Sequence, residues 1–228
     1  MATRDSRTTV SPVGVPGNER ISAFSDAVFA IAITLLVLDL RVPDQLPDTG
    51  LAGVLPEMVP SLAAFVLSFV VVGVYWVGQH NMLMHVQRHN RILLWLNLLF
   101  LLFVAATPFF AGLIMHHLED RLAVAAYASN LVAAGLALDA VWWYASTKRR
   151  LVDPALDRDL VAFIHRRVLI APALYLGAAG LSFVSQLAAL AIIVAVPLLY
   201  IFPTPLDHYH HRQLTARSDQ DAVLNDES

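Results

Sequence analysis

A chain of 228 residues that is 57% hydrophobic and 14% charged, with a net charge of −3, is too apolar for a soluble domain, since average domains carry about 25% charged residues. The sequence contains no cysteine, which excludes disulfides, thiolate chemistry and most iron–sulfur or structural zinc sites. Its apolar residues lie in blocks long enough to cross a hydrocarbon layer of about 30 Å, which takes roughly 20 helical residues. We therefore predict an all-α integral membrane protein.

The predicted elements begin with a polar leader, residues 1–19, which we expect to be disordered because Pro and Gly alternate there with Ser and Thr. The next block contains Asp26 where the core of a signal peptide is uniformly apolar, so we interpret it as a retained first span. Six spans are predicted, at residues 21–40, 59–83, 92–115, 122–147, 168–185 and 187–203. A polar tail, 204–228, is expected to be disordered.

Two connections in this arrangement carry their own predictions. The segment between spans one and two contains Pro43, Pro47 and Pro56, a proline density that predicts a loop rather than a helix. The polar residues 148–167 are predicted to connect spans four and five. Spans five and six are nearly contiguous, and a single bent helix is the alternative to a tight hairpin.

The distribution of basic residues predicts the orientation of the chain. All but two of the 15 Lys and Arg residues fall on one side of the six-span layout, and the exceptions are Arg41 and Arg121. Cytoplasmic segments of membrane proteins carry the excess of Lys and Arg. We therefore expect both termini in the cytoplasm, with the protein in the cell membrane.

The start of the first span is unusual because it contains Arg20 and Asp26, and ionisable groups at such a depth mark functional sites by default. An apolar stripe follows in steps of three and four residues, with small residues and Thr34 beside it. This stripe suits either an ordinary packing seam or the wall of a pore built from symmetric copies of the helix. Its members are Phe24, Val28, Ile31, Leu35 and Leu38.

The string Arg20-x-x-x-Phe24-Ser25-Asp26, followed by Ala-Val-Phe-Ala-Ile-Ala-Ile-Thr-Leu-Leu-Val-Leu-Asp, resembles the first-helix signature of the transmembrane protein 175 family. This family comprises the endolysosomal potassium channel and single-repeat bacterial relatives. Only one copy of the motif occurs here, so the chain is similar to the bacterial members. The resemblance implies a homotetrameric potassium channel, domain 20–203, with permeant K⁺ and no cofactor, whose pore is lined by the first helix of each subunit.

The resemblance also implies roles for individual positions. Ile31 falls at the hydrophobic constriction, Leu35 and Leu38 at further apolar narrowing, and Thr34 at the layer linked to potassium selectivity. An apolar ring gates by dewetting, and threonine hydroxyls replace hydration water at lower field strength than carboxylates. We therefore expect weak to moderate selectivity for K⁺ over Na⁺, without the Thr-Val-Gly-Tyr-Gly filter, which the sequence lacks.

The charged and polar motif residues are expected to be structural. Arg20 and Asp26 are about 240° apart around a helix, so they cannot pair with each other, and each must reach a neighbouring helix. Candidate partners are Trp76, Gln79, His80, Asn81 and Asn97. We favour His80 and Asn97; the plain alternative for each candidate is a polar group at the level of the lipid headgroups.

Other signals are weaker. The histidines lack the pattern of a metal site, and we expect no metal, no enzymatic activity and no nucleic-acid partner. Asp139 is either a buried hydrogen-bonded acid or a lipid-interface group. Asp39 and Arg41 could form a charged ring at the outer mouth or simply end a helix in water. A proton- or sodium-coupled transporter using membrane aspartates is the alternative function, although the first span lacks the Gly and Pro of broken transporter helices.

Overall fold

The structure, a computed structural model, describes residues 18–40, 50–147, 151–153 and 156–201. Over these residues the chain forms six α-helices: α1 Asn18–Leu35, α2 Leu51–Met84, α3 Arg91–His116, α4 Arg121–Ser146, α5 Arg158–Leu181 and α6 Gln186–Ile201. A 3-10 segment, Leu36–Asp39, continues α1. Residues 1–17 of the predicted leader, the tail, and Arg41, Pro43 and Pro47 lie outside the described residues, whereas Asn18 and Glu19, which we assigned to the disordered leader, belong to α1.

Five of these helices are long and apolar enough to cross a membrane, while α6, at 16 residues, is an apolar helix below that length. The protein is therefore a multi-pass membrane protein made of helices. A turn at residues 182–185 separates α5 from α6, which disfavours the single bent helix. Short side-chain caps explain three of the helix starts, because Asn90, Asp120 and Asp157 each accept a bond from a backbone N–H just downstream.

Two helices, α2 and α5, begin well before the predicted spans. α2 begins at Leu51 and includes Pro56, where we predicted a loop. Helices in membranes tolerate proline because neighbouring groups can satisfy the freed carbonyls. α5 begins at Arg158, ten residues before the predicted span. Hydropathy marks where a chain enters the membrane, and the Asp157 cap starts this helix earlier, in a polar stretch.

The helices run alternately up and down, and contacts at each end show which termini lie together. At the end where α1 begins, Val86 and Val152 pair as an isolated antiparallel bridge between the α2–α3 and α4–α5 connections. At the opposite end, Arg121 donates to the carbonyl of Phe183 over 3.2 Å, which joins the α3–α4 and α5–α6 turns. We call these the basic end and the far end.

The core lies mainly along α3 and α4. The helices α1 and α2 pack against α3, α5 packs against α4, and α6 packs against α5, α2 and α4. Its largest fully buried side chains include Trp142, Tyr127 and Phe100. Buried polar groups cross-link the helices: Ser68 bonds to Tyr127, Tyr75 donates to the carbonyl of Leu131, and Asn130 donates to Thr107. Such interhelical bonds stabilise bundles in which lipid provides no hydrophobic drive. The first helix, α1, lies at the edge of the protomer and packs against α2 and α3.

Candidate functional site on the first helix

The first helix presents two different faces. One stripe of it is buried against α2 and α3 and consists of Ile21, Ser25, Phe29, Ala32 and Leu36. Phe29 lies against Phe100 of α3, with ring centroids 5.9 Å apart. This stripe also advances in steps of three and four residues, and it was not among the predicted features of the helix. Both faces of α1 are apolar, so periodicity alone could not tell which of them packs inside the protomer.

The opposite face carries the residues predicted to line a pore. The side chains of Ile31, Leu35 and Leu38 are 59%, 42% and 65% exposed in the protomer, and Phe24 is similarly exposed. Val28, the remaining member of the predicted stripe, is half-buried. In a membrane, these apolar side chains contact either lipid or other copies of the protein.

Thr34 lies on the exposed face between Ile31 and Leu38. Its hydroxyl donates to the carbonyl oxygen of Ile31, one turn earlier, over 2.9 Å. A hydroxyl has one donor and two acceptor lone pairs, so this bond uses the hydrogen and leaves the oxygen free to accept. The geometry thus orients the negative end of the hydroxyl dipole away from the helix, which is the orientation that suits a cation.

A buried triad of hydrogen bonds lies behind this face, near the basic end. The hydroxyl of Ser25, on α1, accepts from Gln79 of α2 and from Asn97 of α3, each over 3.1 Å. Gln79 also donates to the amide oxygen of Asn97 over 2.6 Å. All three side chains are buried. The triad therefore ties the start of α1 to both of the helices that support it.

Asp26 makes a separate contact on the exposed side. Trp76 of α2 donates its indole N–H to the Asp26 carboxylate over 2.7 Å, and Ser22 approaches the other carboxylate oxygen at 3.4 Å. The ring of His80 stacks on Trp76 with centroids 5.5 Å apart. Arg20 is exposed and makes no ion pair with any other residue that the structure describes.

These contacts redistribute the partners that we expected. Asn97 bonds to Ser25 rather than to Asp26 or Arg20, and His80 reaches Asp26 only through the intervening Trp76. The physical reason is the position of each residue around α2. Trp76 and His80 are four residues apart and share the exposed face, whereas Gln79 turns inward between α1 and α3.

An ionisable pair lies away from α1. Asp139 of α4 is buried, and its carboxylate oxygen lies 2.7 Å from Nδ1 of His165 on α5. The structure thus resolves our alternatives for Asp139 in favour of a buried, paired acid. Nowhere among the described residues do three or more His, Asp or Glu side chains come together as metal ligands.

Comparisons with known proteins match the chain to ion channels. A family model described as endosomal/lysosomal potassium channel TMEM175 matches residues 20–108. A protein of Streptomyces collinus named as a potassium channel is 41% identical over 187 residues, covering 80% of this chain and 91% of that protein. The human endosomal/lysosomal proton channel TMEM175 is 37% identical over 99 residues, covering 40% of this chain and 19% of that protein.

A solved structure has the same fold. The crystal structure of a lysosomal potassium-selective channel TMEM175 homolog from Chamaesiphon minutus superposes with a TM-score of 0.74 at 32% identity. The match covers 82% of this chain and 97% of that one. The two chains therefore share nearly the whole arrangement of helices.

Proposed function

Because this chain belongs to the TMEM175 channel family, we propose that it is a potassium-selective cation channel whose pore is lined by the first helix of each subunit in a homotetramer. The proposed pore residues are Ile31, Thr34, Leu35 and Leu38. The observation that carries this proposal is the exposed stripe of α1, with one hydroxyl in its middle, on a helix whose other face is packed and hydrogen-bonded inside the protomer. The names of its relatives from Streptomyces collinus and Chamaesiphon minutus support it.

The position of Thr34 supports a role in selectivity. In a ring of four subunits, each hydroxyl oxygen faces the axis with its lone pairs, since its hydrogen is bonded to the carbonyl of Ile31. Neutral oxygens compensate only part of the hydration that an ion loses. K⁺ sheds water at lower cost than Na⁺, so such a layer favours K⁺ by a modest factor.

The apolar neighbours of Thr34 support a gate. Ile31 lies about 4.5 Å before Thr34 along the helix axis, at 1.5 Å per residue. Leu38 lies about 7.5 Å after Thr34, because the 3-10 segment rises about 2.0 Å per residue. Rings of these side chains would form a narrow apolar throat on either side of the hydroxyl layer. A throat of this kind empties of water when it narrows and conducts when it widens slightly.

The contact of Asp26 with Trp76, away from the exposed apolar stripe, supports a structural role for Asp26. Its carboxylate is held by Trp76, a neutral donor, and lies near the basic end rather than on the stripe of Ile31 and Leu38. We propose that Arg20, Phe24, Ser25, Asp26, Trp76, His80 and Asn97 shape the entrance and hold the helix rather than select the ion.

We also propose that the basic end is cytoplasmic and that the protein resides in the cell membrane. Among the described basic residues, Arg121 lies at the far end, while the others lie at the basic end: Arg20, Arg88, Arg91, Arg158, Arg166 and Arg167. An excess of Lys and Arg in short segments favours retention on the cytoplasmic side.

Recording from the purified protein in planar bilayers tests the proposal. With K⁺ on one side and Na⁺ on the other, we expect unitary current steps that reverse toward the K⁺ equilibrium potential. Thr34→Val keeps the shape of the side chain and removes the oxygen, so it should lower the K⁺/Na⁺ permeability ratio about threefold or more, equivalent to about 0.7 kcal/mol. The matched control is Leu176→Ala on α5, another exposed apolar position.

Each outcome of this experiment decides something. An unchanged ratio in Thr34→Val would overturn the role of the hydroxyl layer. Currents that follow a proton gradient in place of the K⁺ gradient would assign the activity named for the human relative. Substrate-coupled flux without unitary steps would identify a transporter, and the channel proposal would be abandoned.

A further inference from the structure

The last residues of the first helix, at the far end, are wound differently from the rest of the helix. After Leu35 the α-helix gives way to a 3-10 segment, Leu36–Asp39, and the N–H of Leu40 bonds to the carbonyl of Val37 over 3.1 Å. A 3-10 helix turns about 120° per residue, against about 100° in an α-helix. Leu35 and Leu38 therefore lie one above the other on the same side, whereas α-helical winding would rotate Leu38 by about 60° relative to Leu35.

Asp39, the last residue of this segment, approaches the backbone of α3. A methyl group added to Gly112 would lie 2.7 Å from Oδ2 of Asp39, 3.0 Å from its Cγ and 3.1 Å from its Oδ1. The distance to Oδ2 is shorter than a methyl carbon tolerates, so a side chain at position 112 would displace the carboxylate of Asp39 from its present position. Gly112 is buried, while Asp39 is half-buried.

The direction of Asp39 differs from that of its neighbour. Leu38 is 65% exposed on the stripe of Ile31 and Thr34, and Asp39 follows it by about 120°. If Leu38 faces the axis of a pore, the carboxylate of Asp39 faces α3 instead. This arrangement does not place Asp39 in a charged ring at the outer mouth, which was one of the two alternatives for this residue.

We propose that Asp39 and Gly112 form a seat that fixes the rotation of the outer end of the pore helix. Asp39 is then a positioning residue, and it sets the direction of the Leu38 constriction through contact with α3. This inference rests on the proposed function, because it assigns Leu38 to the pore. It adds that Gly112 leaves the Asp39 carboxylate in place, whereas a larger residue there would displace it.

Single-channel recording with a double-mutant cycle tests the seat. Gly112→Ala displaces the carboxylate and should change the unitary K⁺ conductance at least twofold. In an Asp39→Ala background, the same substitution has no carboxylate to displace, so it should have little further effect. Gly177→Ala is the matched control, since a methyl group there meets no atom within 4 Å, and it should conduct like the unsubstituted protein.

A separate measurement distinguishes positioning from electrostatic attraction. Asp39→Asn preserves the size of the side chain and removes its charge. If the carboxylate attracted cations at the mouth, this substitution would reduce conductance more at low than at high ionic strength, because salt screens charges over about 10 Å at 0.1 M. We expect no such change in the dependence on ionic strength.

The remaining outcomes are also decisive. The seat is wrong if Gly112→Ala conducts like Gly177→Ala, or if its effect is equally large in the Asp39→Ala background. Should Gly112→Ala fail to assemble, recovery of assembly by Asp39→Ala supports the seat, and no recovery overturns it. Absence of unitary currents from the unsubstituted protein would refute the proposed function itself.

Discussion

Substituting Ser25 by alanine tests whether the buried triad holds the first helix in place. The change removes one oxygen from a side chain that is fully buried and that accepts bonds from both Gln79 and Asn97. Gln79 still donates to Asn97 after the substitution. The amide nitrogen of Asn97, by contrast, loses the partner that the structure gives it.

The magnitude follows from these contacts. Interhelical hydrogen bonds in membrane proteins average about 0.6 kcal/mol each, so the loss of two costs about 1 kcal/mol. A buried donor left unsatisfied raises the cost to about 3 kcal/mol. We therefore expect Ser25→Ala to destabilise the protein by about 1–3 kcal/mol. At about 2–4 °C per kcal/mol for a chain of this size, the apparent melting temperature falls by roughly 5 °C.

Ser182→Ala provides the matched control. Ser182, the residue that follows α5, is also fully buried, but its hydroxyl donates only to the carbonyl of Ala179 in the last turn of that helix, over 2.8 Å. The same atom is deleted without breaking a bond between helices, so the loss should stay below about 1 kcal/mol. Melting of both variants is compared in one detergent at one scan rate, because thermal unfolding of membrane proteins is commonly irreversible.

The triad lies on the face of α1 opposite Thr34, so Ser25→Ala should leave the K⁺/Na⁺ permeability ratio unchanged. Equal melting temperatures for Ser25→Ala and Ser182→Ala would refute the argument that bonds between helices anchor α1. A stable variant with altered ion preference would refute the proposal that the buried face of α1 only packs while the exposed face selects the ion. In an Asn97→Leu background, Ser25→Ala should cost less, because one of its two bonds is already absent.

Two further predictions concern helix packing. His165→Leu should destabilise the protein by about 1–3 kcal/mol, because it leaves the buried Asp139 carboxylate without its imidazole partner. Adding Asp139→Leu should restore the melting temperature, since replacing both members of a buried pair by apolar groups is often neutral. Equal melting temperatures of the single and double variants would contradict this prediction. Gly135→Ala places a methyl group 3.0–3.1 Å from three ring atoms of Pro172, and this overpacking should reduce the stability by about 1–3 kcal/mol. Gly180→Ala is the control, because a methyl group there meets open space and should leave the stability unchanged. Identical melting curves for the two variants would exclude the clash.

The family resemblance drawn from Arg20, Phe24, Ser25 and Asp26 is confirmed by the comparisons. The all-helical membrane class is also confirmed. Helix ends were less accessible to sequence reasoning. A polar stretch after Asp157 reads as a connector, yet helical hydrogen bonds continue through it, and Pro56 reads as a breaker, yet α2 includes it.

Within the site, the residue types were predictable and several partners were not. Gln79 was one of several candidates, but only the rotation of α2 places it between Ser25 and Asn97. No sequence signal linked Asp139 to His165, which are 26 positions apart on different helices. The close approach of Asp39 to Gly112 was equally hidden, because a glycine in an apolar helix is compatible with many neighbours.

The amino-acid sequence by itself determined that this chain lies in a membrane as helices, because long apolar blocks bury their backbone polar groups only by bonding within each segment. It also determined the family, through an unusual charged motif at the start of α1. Only the tertiary structure decided which of two apolar stripes on α1 packs inward. Both stripes have the same period and similar hydrophobicity, and the choice depends on shape and on the hydrogen bonds that Ser25 makes with α2 and α3.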